Sequence, residues 1–147
     1  MSRLELDGVA IEVPDGWEAE LGWVDGDGDR RIIAHMANFA LPPVRGDYGS
    51  GAVETMDAGG VFVTLLEFTR TADGSGLFSG VGVPSRLSGA DFSADQLQRR
   101  LPGQAGVQRF FTVGDRRFVL YVVIGAHRRR DVLAAEVTRL LARVSVD

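Results

Sequence analysis

The chain has 147 residues, of which 45% are apolar and 24% charged. Sixteen arginines stand against twenty acids, lysine and cysteine are absent, and the net charge is −4. These proportions are average for a soluble globular protein and exclude a disordered tail or a collagen-like chain. The longest fully apolar run, 118–124, is seven residues, against the ~20 needed to span a bilayer.

At this length a single domain, 1–147, buries ~70% of the surface that its unfolded chain exposes. Mild acidity argues against nucleic acid as a partner, because a phosphate backbone is repelled by a negative surface. Without cysteine, disulfides, Cys-ligated zinc, iron–sulfur clusters and thiol catalysis are excluded. The opening Met1-Ser2-Arg3-Leu4-Glu5-Leu6-Asp7 carries acids where a signal peptide needs an apolar stretch. A cytoplasmic protein without membrane association is therefore expected.

Leu4-Glu5-Leu6 and Val9-Ala10-Ile11-Glu12-Val13 read as a β-hairpin across Asp7-Gly8. A two-residue turn of this kind needs positive φ at both central positions, which Asp-Gly tolerates. The implied register sets Leu6 opposite Val9, Leu4 opposite Ile11, and Arg3 opposite Glu12 as a charge pair. Pro14-Asp15-Gly16 ends the second strand. Residues 17–24 form a short amphipathic strand, Asp25-Gly26-Asp27-Gly28-Asp29 a turn, and 31–39 a further strand closed by Leu41-Pro42-Pro43. Residues 44–56 are Gly-rich and irregular. Residues 61–68, VFVTLLEF, are a clear strand ended by Asp73-Gly74-Ser75-Gly76, and 77–89 hold one short strand.

Phe92-Ser93-Ala94-Asp95-Gln96-Leu97 has the pattern of a helix start. Ser93 and Gln96 are spaced for a capping box, Phe92 and Leu97 for a hydrophobic staple, and Pro102-Gly103 for a stop. Residues 107–113 and 116–124 make a second hairpin across Gly114-Asp115, pairing Phe111 with Phe118 and Phe110 with Val119. In its second strand Phe118, Leu120, Val122 and Ile124 share one face, and Val119, Tyr121 and Val123 the other. Both faces are apolar, which predicts a central strand covered on both sides. Residues 132–144 carry an apolar stripe at Leu133, Val137, Leu140, Leu141 and Val144, which predicts a helix capped by Asp131 and packed on the sheet. The fold class expected is α/β (α+β): a mainly antiparallel sheet of about six strands covered by helices, including this C-terminal one.

The sequence offers little chemistry. Asp25, Asp27 and Asp29 open like a calcium loop, but Arg30 stands where the loop requires Gly, and Met36 where it requires a bidentate Glu. A solvated turn is the expectation. A catalytic zinc site needs about three protein ligands, and the only two histidines, His35 and His127, form no His-Glu-x-x-His motif. Gly-x-Ser-x-Gly and a Walker lysine are both missing, and Gly46-Asp47-Tyr48-Gly49-Ser50-Gly51 carries an acid where a phosphate would sit. No catalytic residue, cofactor or metal is assigned, and the chain is not read as an enzyme. The candidate partner-binding residues are the run Arg128, Arg129 and Arg130, suited to an acidic protein or a phosphate ligand, and Trp17 and Trp23, suited to anchoring an interface.

The order of elements carries a resemblance. An N-terminal hairpin runs into Val13-Pro14-Asp15-Gly16-Trp17. A final hairpin, with Arg117-Phe118-Val119-Leu120-Tyr121 on its second strand, leads to a helix ending Leu140-Leu141-Ala142-Arg143-Val144. This resembles the PsbP-like α/β/α sandwich family, including small actinobacterial proteins of that arrangement. The resemblance implies an antiparallel sheet between helices. It also implies members that act by binding proteins, with bacterial secretion, toxin-immunity or envelope-associated systems as a setting. No functional residues carry over from it. The expected function is a non-catalytic protein-binding or adaptor domain. The alternative is a small-molecule binding domain with a pocket between the sheet and the C-terminal helix.

Overall fold

A computed structural model describes residues 2–24, 30–69 and 77–147. The N-terminal hairpin forms as expected from β1 (Ser2–Leu6) and β2 (Val9–Val13), with Leu6 opposite Val9 and Arg3 opposite Glu12. Asp7 and Gly8 have φ of 48° and 81°. Both lie in the left-handed region that tightens a two-residue turn and matches the strand twist. A third strand, β9 (Val144–Val146), pairs antiparallel with β2 to complete a small sheet of order β1-β2-β9.

The larger sheet comprises β3 (Glu18–Trp23), β4 (Ile32–Ala37), β5 (Val61–Phe68), β6 (Gly80–Val81), β7 (Ala105–Val113) and β8 (Arg116–Ile124). Its order is β3-β4-β5-β8-β7-β6. The β7–β8 hairpin has the anticipated register, Phe111 on Phe118 and Phe110 on Val119. β8 lies between β5 and β7, and every residue from Phe118 to Ile124 is at most 2% exposed. A strand apolar on both faces is stable only where both faces are shielded.

Three expectations are corrected. The described residues form nine strands in two sheets with one α-helix, rather than about six strands under several helices. The larger sheet is mixed, because Gly80–Val81 returns along β7 in parallel. The helix start at 92–97 does not propagate: only a 3₁₀ turn, Ala94–Gln96, forms. The Ser93 backbone instead exchanges two hydrogen bonds with Gly106 on the rim of β7. The Gln96 carbonyl groups of side chain and backbone accept from the amide and side chain of Gln108. Phe92 is buried in one core and Leu97 packs on the other, so the chain passes around the sheet edge where a staple would fold it back. Tertiary partners have overridden local capping here.

The C-terminal helix α1 (Arg130–Leu141) starts earlier and ends sooner than its apolar stripe suggested. A 3₁₀ turn, His127–Arg129, feeds it, so Asp131 lies in the first turn instead of capping. Val144 has left the helix for β9.

The two faces of the large sheet are covered differently. Ile32, Ala34, Met36, Val63, Leu65, Leu120 and Val122 face α1 and the small sheet, through Leu133, Val137, Leu140, Val9 and Ile11. On the opposite face Phe62, Tyr121 and Val123 lie beneath Tyr48, Ala52, Val53, Met56, Leu97 and Leu101 from two irregular segments. Gly125 permits one of these segments to approach closely, since a Cβ there would come within 1.8 Å of the Asp57 carbonyl oxygen.

Candidate functional site

The β3 strand forms one margin of the large sheet. Its opposite pairs with β4 include Glu20 with His35 and Gly22 with Ile33, and the Val24 amide donates to the Arg31 carbonyl at 2.8 Å. Antiparallel hydrogen bonding alternates along a strand. Val24, Gly22 and Glu20 thus direct their backbone groups toward β4, and Ala19, Leu21 and Trp23 direct theirs outward. Among the described residues no strand pairs with that outer margin. Trp23, at its end, is 37% exposed, with the Arg30 guanidinium 4.0 Å over its ring.

Beside this margin is an open concavity of about 410 Å³. Its walls are Glu20, Trp23 and Ile33 of the sheet, His35 at its floor, and Pro43, Arg45 and Asp47 of the overlying segment. His35 is buried, and both ring nitrogens are occupied. Arg45 Nε–H donates to Nδ1 at 2.7 Å, and Nε2 lies 2.9 Å from the Asp47 carbonyl oxygen. A guanidinium can only donate, so Nδ1 is the acceptor and Nε2 carries the proton. Burial pushes the His35 pKa below its ordinary value and the Arg45 charge adds to this, against the Asp47 backbone contact, which favours the proton. Arg45 also donates to the Pro42 carbonyl and is ion-paired with Glu20. This set therefore fastens the segment to the sheet, and the imidazole has no free lone pair to act as a base.

The sequence-derived candidates separate in space. Trp23 belongs to this margin. Trp17 is partly buried against the main core and lines another concavity with Glu136, Arg139 and Arg143. Arg128 lines a third, beside Asp57, Gly103 and Gly125. A Cβ on Gly59 would lie 3.2 Å from the Arg129 guanidinium, and Arg130 turns back on the His127 carbonyl. The arginine run does not join the tryptophans. Among the other arginine pairs, Arg99 binds Glu54, Arg100 binds Asp95, and Arg116 is buried on Glu67.

The interface between sheet and α1 is filled by Leu133, Val137, Leu140 and Leu141. Among the described residues no group of three or more His, Cys, Asp or Glu side chains is placed to hold a metal. Asp25, Asp27 and Asp29 lie outside the described residues. No described helix is long and apolar enough to cross a membrane.

The sequence reading missed the Glu20–Arg45–His35–Asp47 set. Its signal was a period-two match, Glu20 and His35 on one face, which appears only once β3 and β4 are paired. No protein-family model, curated protein or solved structure matches this chain.

Proposed function

We propose that this is a non-catalytic protein-binding domain whose partner adds an extended segment to the outer margin of β3. The observation that carries this reading is the row of outward backbone groups at Ala19, Leu21 and Trp23, to which no strand is hydrogen-bonded among the described residues, although β1 lies close to β3. Such a row is a template for strand addition, in which main-chain bonds supply affinity and adjoining side chains supply selectivity. Trp23 is the anchor, and the concavity between Trp23 and Asp47 receives a side chain of the partner. The PsbP-like resemblance, whose members act by binding proteins, favours the same reading. The net charge of −4 makes nucleic acid a poor partner.

The alternative is small-molecule binding, and the concavity of about 410 Å³ is its supporting observation. Affinity purification from the native host separates the two. Strand addition predicts a stoichiometric protein that wild type retains and Ala19→Pro loses, because proline removes one outward amide without touching the β3–β4 ladder. A co-purifying metabolite, with no protein partner, would replace this reading by the alternative.

A further inference from the structure

We infer that the concavity lined by Asp57, Gln104 and Arg128 binds a zwitterionic α-amino acid with an apolar side chain. It shares no residue with the concavity beside β3, so it stands apart from the strand-addition reading. Its volume is about 360 Å³, within the ~300–1,000 Å³ usual for small-ligand sites. Three loops form it: the one that enters β5, the turn before β7, and the chain between β8 and α1. Backbone bonds join them. The His127 amide donates to the Gly103 carbonyl at 2.7 Å, and the Gly125 amide to the Gly60 carbonyl at 2.9 Å. The walls are therefore held before a ligand arrives, which lowers the entropy lost on binding.

Opposite charges line this space without meeting. Arg128 has no hydrogen-bond or ion-pair partner among the described residues. The Asp57 side chain accepts only the Gly59 amide of its own turn, at 2.9 Å. The concavity beside β3 differs, because its Arg45 and Glu20 already bind each other. A third polar group of the wall, Gln104, is only 8% exposed. Its Nε2 donates to the carbonyl of Val53, which is not part of the wall, and its Oε1 is buried without a donor. A buried acceptor left unmet is costly.

This set selects the ligand. A simple anion would suit Arg128 but would meet a carboxylate and an amide oxygen, both of which need donors. A simple cation would suit those two and meet the guanidinium. A molecule with both charges on one carbon satisfies all three groups. Its carboxylate takes the guanidinium fork, and its ammonium, with three donors, serves Asp57 and Gln104. Met56, Pro102 and Ala126 complete the wall and favour an apolar side chain.

Titration calorimetry of the full chain with L-valine, L-leucine and L-methionine should show binding, and NMR should place it at the amides of Gly59, Gly103 and Gly125. Two truncated probes separate the contacts. Isocaproate lacks the ammonium of leucine and isoamylamine its carboxylate, and each should bind about 10-fold or more weakly. Arg128→Ala and Asp57→Asn should weaken leucine binding to a similar extent. Both residues are exposed, and asparagine keeps an oxygen for the Gly59 amide, so both variants fold. Arg139→Ala, at an exposed arginine outside the concavity, should leave binding unchanged. Failure of all three amino acids to bind overturns the inference and leaves the β3 reading untouched. It is equally overturned if either truncated probe binds as well as leucine, or if Arg139→Ala weakens binding as much as Arg128→Ala.

Discussion

The two faces of the large sheet show two ways of shielding an apolar surface. The face toward α1 and the small sheet is covered mainly by a helix and strands, which satisfy their own backbone groups, so apolar side chains do most of the packing; the irregular segment that brings in Leu87 and Phe92 is held by Thr138, whose hydroxyl accepts from the Leu87 amide and donates to its carbonyl. The opposite face is covered by irregular chain, whose amides and carbonyls need side-chain partners. Gln104 donates to the Val53 carbonyl and Asn38 to the Gly59 carbonyl. The Tyr121 hydroxyl accepts from the Gln98 amide, and His35 and Arg45 hold Asp47 and Pro42. The first face should therefore resist local opening more than the second, whose cover depends on individual polar contacts.

The first face also carries a buried ion pair, and altering it should have the largest effect. Arg116 binds Glu67 through two nitrogens, at 2.9 and 3.1 Å, and also reaches the carbonyls of Asp7 and Asp147. Glu67 in turn accepts the Ile32 amide. Glu67→Ala leaves the buried guanidinium with only the half-exposed Asp7 carboxylate, at 3.8 Å, and should cost about 3–5 kcal/mol in urea unfolding. Replacing both partners with methionine should be less harmful than this single change. A double variant as unstable as Glu67→Ala would show that the polar links themselves, and not the stranded charge, dominate.

A smaller and more local effect is expected on the second face. Gln104→Ala leaves the Val53 carbonyl with only the longer bond from the Met56 amide, at 3.4 Å, and should cost about 1 kcal/mol. Hydrogen exchange should quicken around Val53–Thr55 while Leu120 and Val122 remain protected. Uniform loss of protection across both regions would contradict the contrast between the faces.

The smallest effect is a pH dependence. His35 is neutral in the folded protein, with its pKa lowered from 6.5. Below pH ~6.5 the unfolded chain takes up a proton that the folded one does not. Stability is thus complete above that pH and falls as the pH drops toward the folded-state pKa, by at most ~1.4 kcal/mol per pH unit. A proton on Nδ1 would also oppose the Arg45 N–H. Acid should accordingly loosen residues 42–48 first, as followed by amide exchange or by NMR. The wild-type slope between pH 6.5 and 5 should exceed that of His35→Asn, and identical slopes would remove His35 from this role.

Much of the fold was legible because its signals are local. Asp7-Gly8 and Gly114-Asp115 each demanded a two-residue turn, and a turn of known length sets the register of both strands. The alternation of Phe118 to Ile124 then required cover on two sides. The same locality explains the errors. Ser93 and Gln96 have the composition of a helix cap, yet their partners are Gly106 and Gln108 on β7, more than ten residues away. Val144 extends a helical stripe but is bound by Ile11. The Glu20–Arg45–His35–Asp47 set draws on two strands and a loop, and no spacing in the chain announces it.

The sequence by itself determined the two hairpins, the doubly buried strand and the presence of a C-terminal helix, because turn geometry and side-chain periodicity act over a few residues. Only the tertiary structure decided that irregular chain covers one face, that β9 completes a second sheet, and that β3 presents its outer backbone groups. Those outcomes depend on which strands become neighbours. That choice is made by burial and hydrogen bonding between distant segments, which compete with local preference and here prevail over it.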